Sequence, residues 1–319
     1  MTDFGSDLYE ALINGYLAKP EADEAPYYTV SDSLRLYGDA IWNDAGDANQ
    51  HIQRLLSSGR GEAMDALGQH WDKVMNQDVG SVVAVAGLSA AAVADIAATI
   101  AATKAELVQV ASECATVTVA QLVSGALTFR APENVVASSV ANAQSVSQTL
   151  VATCHQRIAG TLKTLQQDPA VAGLQGVAAD LAAGIGGAAR DGAADAGTGR
   201  SWGTDLVTGP GRAVAEGVHV DHAEHERAAG RLREVATAVY GTTAGHLAKA
   251  SADHATAAAS GALGAAIAAS LNTVLDDLTR ATKAFGDHLN GALPDGILLI
   301  SSSQQSTDDD NRKRVSQLD

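Results

Sequence analysis

Three histidines lie close together in the segment HVDHAEH, which runs from His219 to His225. On a helix, residues three apart share a face, so His222 and His225 have the spacing of two ligands to one metal ion. Asp221 and Glu224 lie beside them, and a polar helix N-terminus, where the helix dipole favours acidic side chains, is the alternative. A pH-sensitive helix end is a third interpretation. Because no further ligand can be placed, we predict a polar helix end and no metal.

Other residues that could support catalysis lack the context that catalysis needs. No β-branched strand precedes the glycines of the central segment and no Gly-Lys-Ser/Thr follows them, which excludes a nucleotide-binding loop. These glycines are Gly184, Gly186, Gly187 and Gly192. Serine, histidine and aspartate are plentiful, but no GxSxG or comparable nucleophile motif occurs. We therefore predict that the protein is not an enzyme and binds no cofactor.

The two cysteines, Cys114 and Cys154, flank Pro132 on successive predicted helices. With a helical rise of about 1.5 Å per residue, the two cysteines of an antiparallel hairpin would be offset by roughly 6 Å along the helix axes. That offset disfavours a disulfide without excluding one. We predict two small buried thiols.

The composition predicts a helical protein. The chain of 319 residues carries 21 Lys+Arg against 37 Asp+Glu, a net charge of −16, and only 4% of it is aromatic. Alanine accounts for 64 residues, about a fifth of the chain; it favours helices and lets them pack closely. The acidic balance argues against nucleic-acid binding and, less strongly, against a membrane-surface role.

Proline positions and apolar periodicity divide the chain into helices. We predict an all-α fold in which long antiparallel helical hairpins pack as an elongated four-helix-type bundle. The expected regions are a helical domain over residues 1–170, a Gly/Ala-rich linker over 171–217, a helical hairpin over 218–293 and a disordered tail over 294–319. The most apolar stretch, residues 81–104, is mostly alanine and valine and contains Asp95, so it is predicted to be too weak to span a membrane. The N-terminus is acidic and lacks the apolar region of a Sec signal peptide, so we expect no such signal.

A helical run starting near Ser31 is predicted to stop at Gly59-Arg60-Gly61, and a second begins at Glu62. The segment SSGRGEAMDALGQHWDKV around this turn resembles the WXG-type helical hairpins of type VII (ESX) secretion. The x-Gly at Gly61 and the following Glu-Ala fit that pattern, as does Trp71 downstream, whereas Gly59 stands where the family has its tryptophan. The resemblance implies that Gly59, Arg60, Gly61, Leu67 and Trp71 form an interaction site.

The resemblance extends beyond this turn. Residues 20–127 are similar to the longer leader domains of actinobacterial secreted effectors, and residues 218–293 resemble an EspC-like hairpin. The family's export signal, Tyr-x-x-x-Asp/Glu, follows a helical hairpin. Tyr28 and Asp32 fit its letters, but they precede the predicted helix, where Asp32 is expected to belong to the N-terminal cap. An export signal would then lie on a partner.

The resemblance implies a secreted or cell-surface protein of type VII secretion, either a substrate or an effector leader. Its partners would be a WXG-type protein, or itself through pairing of the two hairpins in cis or homo-oligomers, with a secretion ATPase or chaperone as further candidates. A membrane-active protein that inserts residues 82–100 and 261–275 is one alternative. A generic coiled-coil adaptor or structural protein is the other.

Overall fold

The computed structural model describes residues 2–126, 132–183 and 221–316 of the chain. Over these residues the protein is all-α, as predicted, with helices and no strands. The α-helices are α1 (Thr2–Ala11), α2 (Glu24–Ser58), α3 (Glu62–Lys73), α4 (Gly80–Ala126), α5 (Pro132–Gln167), α6 (Pro169–Ala183), α7 (His222–Ala238), α8 (Ala244–Ala258), α9 (Ala262–Asp287) and α10 (Leu293–Ser316). Short π-helical segments are π1 (Leu12–Tyr16), π2 (Val74–Val79), π3 (Val239–Thr243) and π4 (His288–Ala292).

Prolines lie at the starts of helices. Pro132 and Pro169 are the first residues of α5 and α6, while Pro26 and Pro294 lie in the first turns of α2 and α10. The first-turn N–H groups of a helix have no intrahelical acceptor, so a residue without an N–H costs nothing there. Pro26, Pro132 and Pro169 therefore mark boundaries by opening a helix. Pro294, in contrast, follows π4 inside a helical run that continues from Ala262 to Ser316.

The chain forms two compact units. The first takes in the described residues within 1–32, 90–167 and 250–272, and the second takes in those within 33–89, 168–249 and 273–319. In the first unit, three leucines of the N-terminal segment, Leu8, Leu12 and Leu17, pack against small side chains of α4 and α5. The backbone N–H of Ala18 donates to the Ser147 hydroxyl at 3.1 Å, which fixes the end of this segment on α5.

In the second unit, the C-terminal part of α2 runs antiparallel to α3. The tryptophan Trp71 on α3 bonds Asn49 on α2, and one turn closer to the connection Gly68 lies opposite Leu56. The helix α7 is likewise antiparallel to α10, because His222 bonds Ser301 while Arg233 bonds Asp295.

The same unit also joins its N-terminal helices to its C-terminal helices. The hydroxyls of Tyr37 on α2 and Thr282 on α9 are buried and 2.6 Å apart. Thr243 of π3 donates to a carboxylate oxygen of Asp44 at 2.5 Å. Burial raises the pKa of Tyr37, so its hydroxyl keeps its proton and the Tyr37–Thr282 bond remains neutral.

Gly61 makes the turn between α2 and α3 with φ of 127° and ψ of 170°, a conformation that is essentially restricted to glycine. We expect Gly61→Ala to lower the free energy of unfolding by about 1–3 kcal/mol, the cost of forcing a Cβ into this region. Urea denaturation at pH 7 measures the change. The control is Gly87→Ala in α4, where the added methyl meets open space and should stabilise by about 0.5–1 kcal/mol. Equal effects of the two substitutions would contradict the strain at Gly61.

Three boundaries differ from the sequence-based expectation. The helix α2 begins at Glu24 instead of Ser31, because Tyr27 and Val30 extend its buried stripe toward the N-terminus. The predicted linker of residues 171–217 begins with a helix, α6, whose Leu174, Val177 and Leu181 are buried at helical spacing. The rest of that linker, residues 184–217, lies outside the described residues.

The third difference is the C-terminal tail. Residues 294–316, expected to be disordered, lie in the helix α10, and residues 317–319 are outside the described part of the chain. Ile297 and Ile300 are buried at the start of this helix. Its exposed end carries ion pairs one turn apart, Asp309 with Arg312 and Asp310 with Lys313. Anchorage at the start and local pairing at the end explain a helix that composition alone did not indicate.

The helical stretch from Glu62 to Ser124 contains an 18-residue window with a mean hydropathy of 1.9 and at most two charged residues. By length and composition this stretch meets the criteria for a membrane-spanning helix, which the sequence analysis did not expect. Inside the protein, 44% of that window is buried.

Candidate functional site

The predicted turn is present between α2 and α3. The last residue of α2 is Ser58 and the first of α3 is Glu62, with Gly59 buried and Arg60 exposed at the tip. The carbonyl of Gly61 accepts hydrogen bonds from the N–H groups of Met64 and Asp65, at 2.9 and 3.1 Å, and so starts α3. The turn therefore presents one exposed guanidinium, that of Arg60, on a fixed backbone.

Leu67 and Trp71, the other predicted interaction residues, lie one turn apart on α3 and are both 0% exposed. The indole N–H of Trp71 donates to the side-chain oxygen of Asn49 on α2 at 2.8 Å. Their contacts are consequently made within the protein. Leu67 and Trp71 hold α3 in place, and of the five predicted residues only Arg60 lies exposed for a partner.

The segment HVDHAEH forms the start of α7. Asp221 is the N-cap residue, and its side chain accepts a hydrogen bond from the N–H of Glu224 at 3.1 Å. The Nδ1 of His222 lies 2.7 Å from the Ser301 hydroxyl, whereas the Nδ1 of His225 lies 2.9 Å from the Asp221 carbonyl. The two histidines thus have separate protein partners. His219 lies outside the described residues, and the polar helix end is confirmed for the rest of the segment.

Glu224 connects the start of α7 to α2. Its side chain is only 7% exposed, and its carboxylate pairs with Arg54 of α2 at 2.8 Å and with Arg227 of α7. Two guanidinium groups and the positive end of the helix dipole stabilise a carboxylate at this depth. In the part of the chain that the structure describes, no group of three or more His, Cys, Asp or Glu side chains is placed to hold a metal ion.

A second pair of histidines was not singled out from the sequence. His70 on α3 and His288 on π4 have their Nε2 atoms 3.1 Å apart, with ring centroids separated by 5.1 Å and ring planes inclined by 54°. His288 is 2% exposed. The two residues are 218 positions apart, so no local motif joins them, and the only sequence signal is His70 one turn before the buried Val74.

The Nδ1 of His288 is buried without a partner among the described residues. A buried N–H with no acceptor is rarer than a buried lone pair with no donor. The proton of His288 is therefore assigned to Nε2, which donates to the Nε2 lone pair of His70. A metal ion between the two Nε2 atoms would need both lone pairs there, which would leave an N–H orphaned at His288 Nδ1. The pair is accordingly a neutral hydrogen bond and not the start of a metal site.

The environment keeps both rings uncharged. Burial, together with the neighbouring His288 and Lys73, lowers the pKa of His70 to about 3. Burial alone lowers the pKa of His288 to about 4. Burial also lowers the pKa values of His225 and His254. Burial thus favours the neutral form of all four of these histidines in the folded protein.

Asp78 in π2 is 4% exposed, and burial raises the pKa of its carboxyl to about 6 despite the nearby Lys73. The folded pKa exceeds the unfolded one, so the ionised group destabilises the protein above pH 6 and the penalty vanishes as the pH falls toward 4. We expect Asp78→Asn to raise the free energy of unfolding by about 1–3 kcal/mol at pH 7 and by little at pH 4. Denaturant titrations at both values measure this. A pH-independent gain would contradict the assignment, and Asp72→Asn, at an exposed site on α3, is the control.

Tyr28 and Asp32 lie on α2, four residues apart and therefore on one side of that helix. Both are exposed, and Asp32 has contacts of its own. The expectation that these residues precede the helix and that Asp32 caps it is wrong, because α2 starts eight residues before Asp32. The extra helical turns come from the buried Tyr27 and Val30.

Cys114 and Cys154 are both buried free thiols, as predicted. The Cys114 thiol donates to the backbone carbonyl of Ser139 on α5 at 3.4 Å. Its position is that of a small core residue between two helices.

No family model, no curated protein and no solved structure matches this chain.

Proposed function

We propose that this chain is a non-enzymatic protein of type VII (ESX) secretion, a substrate or effector-leader module that acts through helix-bundle contacts. Its two hairpins, α2–α3–α4 and α7–α8–α9–α10, would pair in cis as the two partners of a WXG-type complex do. The resemblance around Gly59-Arg60-Gly61 suggests the system, and the contacts of the second unit support the pairing.

The observation that carries this proposal is the set of contacts between N-terminal and C-terminal helices in the second unit. A lone helical hairpin exposes an apolar face and needs another hairpin to cover it. Here Tyr37 meets Thr282, Asp44 meets Thr243, and Arg54 meets Glu224. These contacts support the proposal that the second hairpin takes the place of a separate partner within one chain.

Export tests the secretion proposal directly. The tagged chain is expressed in an actinobacterium with a working type VII apparatus and in the same strain lacking the membrane ATPase of that apparatus. We expect the protein in the culture filtrate or on the cell surface of the first strain alone. Tyr28→Ala with Asp32→Ala tests whether the exposed pair on α2 is the signal, and Tyr240→Ala, an exposed tyrosine on π3, is the matched control. Equal export from both strains would contradict the proposal.

The apolar window between Glu62 and Ser124 favours a second candidate, a membrane-active helical protein. In this case residues 82–100 of α4 would leave their helix contacts and enter the bilayer. Dye release from liposomes at micromolar protein would support this function. Intact liposomes would exclude the membrane-active candidate, and ATPase-dependent export would then support the secretion proposal.

A further inference from the structure

A groove of about 440 Å³ runs between α5 and the N-terminal half of α9 in the first unit. Its floor is made of four buried aliphatic side chains, Ile158 and Leu162 from α5 and Leu263 and Ile267 from α9. The floor residues are part of the core, so the groove has a fixed apolar base. The cavity is partly open to the surface and therefore has the form that accepts a large apolar side chain of a helix.

The walls and rim of this groove set the chemistry of its occupant. Alanines at 159, 262 and 266 form the walls, and these small exposed residues leave the floor accessible. Exposed Lys163 and His155 lie on the α5 rim, and no carboxylate lines the groove among the described residues. In a chain with a net charge of −16, the lining of this groove thus carries a lysine and no acidic residue. It fits an acidic, apolar helix face.

Such a face exists on the second unit of the same chain, on the outer side of α2. Leu36 and Trp42 are each 52% exposed there. Asp39 lies between them along the helix, and Asp47 follows, both exposed. The single cation of this face, Arg35, is engaged within the protein. Half-exposed tryptophan and leucine side chains beside carboxylates have the composition of an interface in which the aromatic residue contributes most.

We propose that the outer face of α2, defined by Leu36, Asp39, Trp42 and Asp47, docks into the α5–α9 groove of a second copy of this chain. Trp42 would lie over the aliphatic floor, and Asp39 would approach Lys163. The face and the groove are different surfaces, so the contact joins unlike surfaces of two copies, once in an open assembly or twice in a reciprocal two-fold dimer. This inference does not depend on the secretion proposal.

Two single substitutions at exposed positions disable the two surfaces separately. Trp42→Ala removes the anchor of the face, and Ala159→Trp fills the groove. Val108→Ser, at a 47%-exposed position on α4 outside both surfaces, is the control. Circular dichroism establishes that each variant keeps its helix content. Lys163→Glu is a second groove variant, which acts through charge and adds no bulk beside the floor.

Sedimentation velocity of the full chain over a range of concentrations tests the proposal. We expect the wild type and Val108→Ser to form dimers or larger species as concentration rises, and 1 M salt to weaken this assembly. Trp42→Ala, Ala159→Trp and Lys163→Glu alone should each remain monomeric. A mixture of Trp42→Ala with Ala159→Trp should form a dimer and stop there, because together the two variants retain one working face and one working groove.

Several results would overturn the proposal. A monomeric wild type at the highest soluble concentration excludes self-association. Assembly that survives Trp42→Ala or the two groove variants excludes the proposed surfaces. A mixture of Trp42→Ala with Ala159→Trp that forms no dimer excludes a contact between the face of one copy and the groove of another.

Discussion

Replacing Trp71 with alanine is expected to lower the free energy of unfolding by about 3–5 kcal/mol. The indole is fully buried on α3, so its removal leaves a cavity where α3 meets the rest of the second unit. It also leaves the side-chain oxygen of Asn49 without the indole N–H donor that lies 2.8 Å away. Both losses weaken the hold of α3 on α2.

Comparison of Trp71→Ala with Trp71→Phe separates the two contributions, and Trp42→Ala is the control. Trp71→Phe keeps most of the apolar volume and loses the hydrogen bond, so we expect a loss of about 1–2 kcal/mol. Trp42→Ala, at the half-exposed tryptophan of α2, should change stability by less than about 0.5 kcal/mol. Chemical denaturation of the four proteins at pH 7 gives the values. A loss below about 1 kcal/mol for Trp71→Ala would mean that this side chain is not part of the core.

Acid should destabilise the protein strongly through His70 and His288. Their pKa values in the folded protein, about 3 and about 4, lie below the value of about 6.5 for an unfolded chain. The unfolded state therefore binds more protons once the pH falls below 6.5, and the stabilisation present above that pH is lost progressively down to the folded values. Protonation of the Nε2 atom of His70 also breaks the neutral hydrogen bond between α3 and π4.

The expected size of the effect follows from the pH interval. Between pH 6.5 and pH 5 each of the two histidines costs about 2 kcal/mol, about 4 kcal/mol in all. Asp78 acts in the opposite direction and returns about 1 kcal/mol over the same range, since its raised pKa lies near 6. His225 and His254, whose pKa values are also lowered, add to the loss. A net loss of about 3 kcal/mol or more is large beside the total stability of a typical protein.

Denaturant titrations of the wild type and of a His70→Gln, His288→Gln double variant at pH 7 and pH 5 measure this loss. The difference between the two pH values should be about 4 kcal/mol smaller in the double variant. His246→Gln, at a half-buried histidine of α8 outside this contact, is the control. An equal pH dependence in the wild type and the double variant would show that the histidine pair does not carry the acid sensitivity.

The helices could be predicted from the sequence because the pattern that predicts them is local. Leu34, Tyr37, Ile41, Ala45 and Ala48 recur at helical spacing, and all are buried on α2 as that spacing indicates. The turn at Gly59-Arg60-Gly61 was equally readable, since glycine on both sides of one residue is a local signal. Helix starts are less readable: the run expected to start near Ser31 begins at Glu24, with Pro26 in its first turn.

The buried histidine pair and the α10 helix could not be predicted, for a different reason. Both depend on contacts between residues far apart in sequence. His70 and His288 become chemically unusual only because α3 and π4 bring them together and exclude water. The polar composition of residues 301–316 favours disorder. This composition does not indicate that Ile297 and Ile300, near the start of α10, are buried and hold the helix in place.

Association of the two hairpins made as separate chains is the most direct test of cis pairing. Residues 1–183 and 221–319 are expressed separately, purified and mixed, and their complex is measured by size-exclusion chromatography and by thermal unfolding. We predict that they co-elute as a one-to-one complex that unfolds at a higher temperature than either part. We also predict that Tyr37→Phe with Glu224→Gln weakens the complex, because these residues contact the opposite hairpin. Two independently folded monomers that do not associate would contradict the pairing.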